Sequence, residues 1–191
     1  MTSESETRER LLLAGAHEIE LYGLQNLSMR RVAAACGVSC AAPYKHYKNR
    51  SDFIIAIIRY IKEQWRLVQE DLKKRLGDDI PAREMLTELC IAYIKFLVEH
   101  PNFRSVLMTR STDMTPEQVR EKTAVSTYTS EQIRKYCSEV NMSKADEKRK
   151  TFLVRSLLYG AAIMIESGEL ENSAESYEMV RRTIEREFEL S

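Results

Sequence analysis

Apolar residues recur along this chain at intervals of three and four positions, the spacing that places side chains on one face of an α-helix. The first such stripe lies within residues 6–22 and consists of Leu12, Gly15, Ala16 and Ile19. Gly23 follows it, and glycine commonly ends a helix. The beginning of the chain is therefore predicted to form one amphipathic helix.

Two short helices are predicted next, on either side of Gly37. Ser28 is a suitable N-cap for a helix that runs through Ala35. The second helix extends from Cys40 to about Tyr47. Pro43 is its fourth residue if Ser39 is the cap, and lies in the first turn if Cys40 is the cap. Both alternatives predict a short helix with a constrained first turn. Two short helices joined by a few residues that include glycine are typical of a helix-turn-helix.

The remaining pattern predicts one helix after another. Asn49, with Asp52 in the first turn, opens a long amphipathic helix towards Gly77. Further helices are predicted from Pro81 to His100, from Pro116 to Cys137, from Ser143 or Lys144 to Glu166, and around residues 177–188. The sequence therefore predicts an all-α fold of about nine helices with short loops.

Composition agrees with this fold and adds an asymmetry of charge. The 191 residues include only 6 Gly and 4 Pro, too few for the frequent turns of an all-β protein. The formal net charge is zero, but the segment from Ser28 to Arg50 has five basic residues and no Asp or Glu. From Gly160 onward, Glu outnumbers Arg by 8 to 3. This distribution predicts a basic working end and an acidic opposite end.

Several function classes are excluded at this point. The sequence contains no catalytic or nucleotide-binding motif, and its three His show no metal-ligand spacing. No enzyme activity, cofactor or metal is therefore expected.

No apolar run is long enough to span a membrane, and the acidic N-terminus lacks a signal-peptide core. The four cysteines lack CxxC spacing, so reduced thiols in a cytoplasmic protein are predicted. A redox role of Cys36 or Cys40 stays open.

A set of features follows in a fixed order between Thr7 and Ile54. They are Leu11-Leu12, Gly23, Ser28-Met29-Arg30, Val32-Ala33, Cys36-Gly37-Val38-Ser39 and Tyr44-Lys45-His46-Tyr47-Lys48-Asn49-Arg50. Together they resemble the DNA-binding head of TetR-type bacterial transcription regulators. The resemblance covers about a quarter of the chain. It implies a helix-turn-helix DNA-binding domain at residues 1–50 and a helical effector-binding and dimerisation domain at residues 51–191.

The function implied is sequence-specific regulation of transcription, by a homodimeric repressor that a small-molecule ligand releases from a palindromic operator. The residues predicted to contact DNA are Ser28, Met29, Arg30, Cys40, Ala41, Ala42, Tyr44, Lys45, His46, Lys48 and Arg50. Lys45 either reads a guanine edge or contacts phosphate. Ser28 caps its helix, contacts phosphate, or does both. His46 either bonds within the head or lies against DNA, and the role of Met29 is open.

Two further groups of residues are predicted for the second domain. Apolar stripes on the last two helices predict a four-helix dimer interface formed by Leu153, Leu157, Gly160, Ala161, Met164, Tyr177, Val180, Ile184 and Phe188. Packing within one subunit is the alternative. Trp65, Tyr93 and Tyr128 are the candidate ligand-binding residues, with plain core packing as the alternative. An effector-independent architectural or protein-interaction module that uses the same head is the rival function.

Overall fold

A computed structural model describes residues 2–77 and 79–188 of the chain. All regular structure in these two ranges is helical, which confirms the predicted all-α class. The α-helices found there are α1 (Thr2–Tyr22), α2 (Met29–Ala35), α3 (Ala42–His46), α4 (Arg50–Leu76), α5 (Ala82–Glu99), α6 (Pro101–Met108), α7 (Pro116–Ala124), α8 (Thr127–Glu139), α9 (Lys144–Ser167) and α10 (Ala174–Glu187). Short 3-10 turns lie at Leu24–Asn26 and Ser111–Asp113.

The helix pattern differs from the prediction at two places. Pro101 follows the end of α5 as predicted, but it also begins α6, because the missing N–H of proline costs nothing in a first helical turn. The single helix predicted from Pro116 to Cys137 is instead two helices, α7 and α8. Their junction at Val125 and Ser126 contains neither glycine nor proline, so no helix-breaking residue marks it.

The helices form two compact units. The head unit comprises residues 1–64 and 100–125. In it α1 packs against α2 and α6, and its core includes the fully buried Leu11 and Phe53. Gly15 lets α1 and α4 approach closely, since a Cβ atom there would lie only 2.6 Å from the Phe53 ring carbon Cζ.

The body unit comprises residues 65–99 and 126–191. In it α5 packs against α8, α9 and α10, around fully buried side chains such as Leu86 and Leu89. The C-terminal end of α10 is held by hydrogen bonds to its free carbonyls. Lys150 donates to the carbonyl of Glu187, and the Tyr136 hydroxyl donates to that of Phe188.

The helix α4 contributes its first half to the head unit and its second half to the body unit. The predicted functional division at residue 50 stays a prediction, since a division by packing does not test function. No helix in the described part of the chain is long and apolar enough to cross a membrane.

Candidate nucleic-acid interface

The turn between α2 and α3 is fixed from both sides. The Ser28 hydroxyl accepts a hydrogen bond from the backbone N–H of Arg31 at 3.4 Å, so Ser28 caps α2 as predicted. Gly37 takes up a left-handed conformation with φ of 66° in the turn itself, which favours glycine. The Arg10 guanidinium donates to the carbonyl of Cys36 at 2.7 Å. The turn is thereby tied to α1.

The helix α3 is shorter than predicted. Its N-cap is Ala41, rather than Ser39 or Cys40, and Pro43 is its second residue. The reason is that Pro43 has no N–H to donate to the Ser39 carbonyl, so it fits only in the first turn. Pro43 is buried, as is Tyr47, whose ring centroid lies 4.8 Å from that of Phe53. Both residues hold the single turn of α3 on the head.

Most of the predicted DNA-contacting residues lie on the surface around α3. Arg30, Cys40, Ala41, Tyr44, Lys45 and Lys48 are exposed, and Ser28, Ala42 and His46 are half-buried. Within residues 2–77 and 79–188, the side chains of Arg30, Lys45 and Lys48 make no ion pair. Their positive charges therefore face solvent and can meet phosphate or base edges.

Two of the residues predicted to contact DNA do not lie on this exposed surface, and we correct them. Met29 is only 5% exposed, because it is the first apolar residue of the buried face of α2. The Arg50 guanidinium donates to the backbone carbonyls of Leu24 and Leu27, the latter at 3.1 Å from Nε. These bonds fix the link between α1 and α2. We therefore leave both side chains out of the proposed DNA surface.

The structure also assigns a place to Arg31. Its guanidinium donates to the Glu18 carboxylate at 2.5 Å and to the carbonyl of Asn26 at 2.6 Å. Its carbon Cζ lies 4.4 Å from the centroid of the Tyr22 ring. Glu18 is buried, and a buried carboxylate needs such a partner. Arg31 thus joins α2 to α1, although its sequence neighbour Arg30 faces solvent.

The start of α4 is fixed beside the exposed basic residues. The Asn49 side chain accepts a hydrogen bond from the N–H of Asp52 at 2.9 Å. The Asp52 carboxylate in turn accepts from the N–H of Lys48 at 3.0 Å. Ser51, the residue before Asp52, accepts from the Gln118 side chain of α7 at 3.1 Å. These contacts fix the backbone on which Lys48 is placed.

A charged cluster joins α4 to α7 within the head unit. Arg59 donates to the Glu121 carboxylate at 2.7 Å, and Lys62 donates to it at 3.1 Å. The Arg59 guanidinium, with a smaller contribution from Lys62, lowers the pKa of Glu121 from its ordinary value. The carboxylate is therefore stabilised in its charged form by both partners.

Two of the three predicted ligand residues lie together in the body unit. The Trp65 and Tyr93 ring centroids are 4.9 Å apart, and both side chains are buried. Burial raises the pKa of Tyr93 well above its ordinary value, and the Tyr159 hydroxyl adds to the rise. The contact shown for Tyr128 is a different one: the Lys73 ammonium group lies over its ring, 4.0 Å from the centroid. The residue that the sequence did not indicate is Gln69, which is buried one turn after Trp65.

The predicted dimer residues divide into two sets. Leu153 and Met164 are exposed, and Leu157, Gly160 and Tyr177 are half-buried. The four others, Ala161, Val180, Ile184 and Phe188, are at most 5% exposed. We correct these four, because the apolar stripe of α10 and the Ala161 position pack within their own body unit. Exposed apolar residues missed beside the predicted stripes are Phe152, Ile163 and Met179.

The one-turn helix α3 carries exposed basic side chains and follows α2 after a glycine turn that is tied to α1. This arrangement is that of a helix-turn-helix DNA-binding head. Residues 11–57 match the family model described as bacterial regulatory proteins, tetR family. The predicted resemblance to TetR-type regulators is thereby confirmed. No curated protein matches the sequence significantly.

Solved structures of TetR-family proteins have the same fold. A transcription regulator from Marinobacter aquaeolei is 20% identical, with a TM-score of 0.79 over 98% of both chains. The regulator PfmR from Thermus thermophilus is 18% identical, with a TM-score of 0.69 over 96% of this chain and 97% of its own. A TetR variant from Acinetobacter baumannii in complex with minocycline is 15% identical, with a TM-score of 0.57 over 93% and 92%. The TetR-regulator fold thus extends over nearly the whole chain.

Proposed function

We propose that this protein is a dimeric, sequence-specific DNA-binding repressor whose affinity for its operator is controlled by a small molecule. The observation that carries the proposal is the exposed basic surface around α3, on a head whose backbone is held by Arg10, Arg31 and Arg50. A regulator of transcription must reach the chromosome, so we also propose that the protein is cytoplasmic.

The side chains around α3 suggest how DNA is read. An α-helix fits the major groove, where its first residues reach base edges. Cys40, Ala41 and Ala42 are small enough to let the backbone approach, and an Ala methyl can contact a thymine methyl. Lys45 is the candidate for a guanine edge, with Arg30 and Lys48 on phosphate. Because this set carries few hydrogen-bonding groups, DNA shape would supply part of the specificity.

A second copy of the chain is proposed to cover an exposed apolar surface of α9. This surface, the α9 face, consists of Phe152, Leu153, Leu157, Gly160, Ile163 and Met164. Exposed apolar patches of this kind mark interaction sites, and Met179 of α10 is exposed as well. Two copies related by a two-fold axis would present two recognition helices to a palindromic operator, with half-sites about 34–36 Å apart.

The proposed effector binds in the body unit, near Trp65 and Tyr93. The complex of the Acinetobacter protein with minocycline supports a small molecule as the class of effector. Because α4 begins beside Lys48 and continues to Trp65 and beyond, a ligand that displaces its second half would disturb the spacing of the recognition helices. In two-state terms, such a ligand must bind the DNA-incompetent form more tightly.

The test is selection of bound duplexes from a random library, followed by titrations of single-residue variants. We expect a short palindrome and a steep fall of affinity with salt. Lys45→Ala should relax preference at one base pair of each half-site. Lys48→Ala should weaken binding to all sequences alike and flatten the salt dependence. Lys135→Ala, on an exposed part of α8, is the matched control and should change neither.

The outcome separates the two functions considered. If no sequence is enriched, specific regulation is wrong, and an architectural or protein-interaction module remains. If a palindrome is enriched but both Lys45→Ala and Lys48→Ala bind like the wild type, the function stands and the assigned contacts are wrong.

A further inference from the structure

We infer that the body unit binds a flat, largely apolar ligand through a neutral oxygen acceptor, which hydrogen-bonds to the side chains of Trp65 and Gln69 on α4. This inference rests on the proposed effector control and specifies the chemistry of the effector. Its structural basis is a pair of buried N–H groups next to a group of aromatic rings.

The two donors are sealed from solvent. Trp65 is 1% exposed and Gln69 is 8% exposed. Neither the indole Nε1–H nor the Gln69 amide Nε2 has a hydrogen-bond acceptor among the residues that the structure describes. Buried donors without a partner destabilise a protein and are rare in native structures. Both donors therefore call for an explanation, and an acceptor on a bound ligand supplies one.

The two donors also lie next to each other. Trp65 and Gln69 are four residues apart on α4, and side chains at this spacing are neighbours on one face of a helix. We therefore expect a single acceptor group on a ligand to reach both N–H groups.

Aromatic side chains surround the first donor. The Trp65 ring centroid is 4.9 Å from that of Tyr93 and 5.4 Å from that of Phe96. The Tyr93 ring is nearly parallel to that of Phe96 and meets Tyr159 of α9 edge-on. Ligand sites are mostly apolar and aromatic, with a small number of polar groups that fix orientation. Aromatic rings favour a flat aromatic guest through stacked or edge-on contacts.

The donors themselves favour a neutral acceptor over a carboxylate. Both donors are uncharged, and burying an ionised carboxylate without a cation is costly. Arg155 of α9, the cation that acts electrostatically on Tyr93, has an exposed side chain. The buried Lys150 is already paired with Glu187. Lys73, one further turn along α4, is exposed and lies over the ring of Tyr128. An amide, ketone or ester oxygen on an aromatic ring therefore fits the site better than a carboxylate does.

The test uses three probes of one shape: naphthalene-2-carboxamide, naphthalene-2-carboxylate and 2-methylnaphthalene. Affinities are measured by calorimetry on the full chain without DNA. Trp65 is the only tryptophan, so its indole N–H gives a single assignable NMR signal. We expect the carboxamide to bind about 25-fold more tightly than 2-methylnaphthalene, about fivefold from each of the two hydrogen bonds. Its binding should move the indole N–H signal downfield, as accepting a hydrogen bond does.

Gln69→Met keeps the length of the side chain and removes its donors. It should lower the preference for the carboxamide over 2-methylnaphthalene at least about fivefold and leave the affinity for 2-methylnaphthalene unchanged. Gln64→Met, a half-buried position on the same helix, is the matched control and should keep the full preference. Gln69→Met should also raise the Tm of the free protein, because it removes an unmet donor; a structural role of Gln69 would lower it.

The proposal is overturned if none of the probes binds, if the carboxamide and 2-methylnaphthalene bind equally, or if the full preference survives in Gln69→Met. If the carboxylate binds more tightly than the carboxamide, the ligand's acceptor is charged and the proposed neutral acceptor is wrong. The duplex selection is independent of these measurements. If it succeeds while the probes fail, the ligand chemistry is wrong and the DNA-binding function stands. If it fails while the carboxamide binds, the regulatory function is wrong and the site stands.

Discussion

Two glycines lie inside long helices of this protein, Gly15 in α1 of the head unit and Gly160 in α9 of the body unit. A glycine in a helix interior destabilises it by roughly 0.5–1 kcal/mol relative to alanine. A Cβ atom at Gly15 would lie 2.6 Å from Phe53 and 2.7 Å from Ile57. A Cβ atom at Gly160 would meet nothing within 4 Å in the described part of the chain.

The difference indicates how the two surfaces are used. Gly15 is explained by the protomer itself, because a larger residue would separate α1 from α4. Gly160 has no such explanation within one protomer, but it lies in the exposed α9 face. A helix from a second copy that approaches closely would require a small residue there. The head is thus complete in one chain, whereas the α9 face has the character of a surface that a partner covers.

The largest effect is expected from a charge in the α9 face. Ile163 is 39% exposed, so Ile163→Glu can be solvated in a lone protomer but not in an apolar dimer interface. We expect a monomer in sedimentation analysis. Operator affinity should fall by about 10²-fold or more, because the two heads no longer bind as one unit.

The control for this change is Leu67→Glu. Leu67 is 46% exposed on α4, outside the α9 face, and the same kind of substitution there should leave a dimer. A dimeric Ile163→Glu protein with unchanged operator binding would show that the α9 face is not the interface.

The two glycines can be compared directly by the same substitution. Gly15→Ala should lower the free energy of unfolding by about 1–3 kcal/mol, because the new methyl group overlaps the Phe53 ring in a packed core. Gly160→Ala should leave the stability of the protomer unchanged or raise it by up to about 1 kcal/mol through helix propensity. Denaturant unfolding at low protein concentration measures both. Equal destabilisation by the two substitutions would contradict the distinction.

The fold was largely predictable because helix periodicity and caps are local signals. Ser28 and Asn49 act as expected, and the all-helical class follows from repeated apolar spacing. The break between α7 and α8 was not predictable, since Val125 and Ser126 carry no breaker residue. The beginning of α6 was hidden for another reason: Pro101 can follow one helix and begin the next.

The candidate sites were predictable only where exposure follows from position in a turn. Lys45 and Lys48 lie on the surface of a helix-turn-helix of known pattern. Arg30 and Arg31 are adjacent and chemically identical, and only tertiary contacts separate them. The stripe of α10 shows the same limit, because an apolar face has the same spacing whether it packs on its own unit or on a partner. Val180 and Ile184 pack on their own unit.

Arg30 and Arg31 are adjacent in α2, and variants of the two should distinguish an effect on the stability of the head from an effect on DNA binding. Arg31→Met removes the partner of the buried Glu18 carboxylate and should lower the free energy of unfolding by about 1–2 kcal/mol. Arg30→Met, at the exposed neighbouring position, should leave stability unchanged and weaken DNA binding by loss of one phosphate contact. Thermal unfolding and a salt titration with operator DNA measure the two effects. A stability loss in Arg30→Met as large as in Arg31→Met would refute the assignment.

The smallest effect concerns pH and the cluster of Arg59, Lys62 and Glu121. The pKa of Glu121 is lowered below its ordinary value of 4.5, so the folded state binds its proton less readily than the unfolded state. The stabilisation is therefore fully present above pH 4.5 and is lost as the pH falls through the lowered pKa. Glu121→Gln should be less stable than the wild type at neutral pH by under about 1 kcal/mol, because the pairs lie near the surface. The difference in stability between Glu121→Gln and the wild type should vanish in acid, and Tm measured against pH checks it.

Glu117→Gln is the control. Its carboxylate is 3.8 Å from Arg59 and its side chain is 53% exposed, so its stability should differ little from that of the wild type at any pH. A Glu121→Gln deficit that persists in acid would show that packing, and not ion pairing, holds α7 to α4.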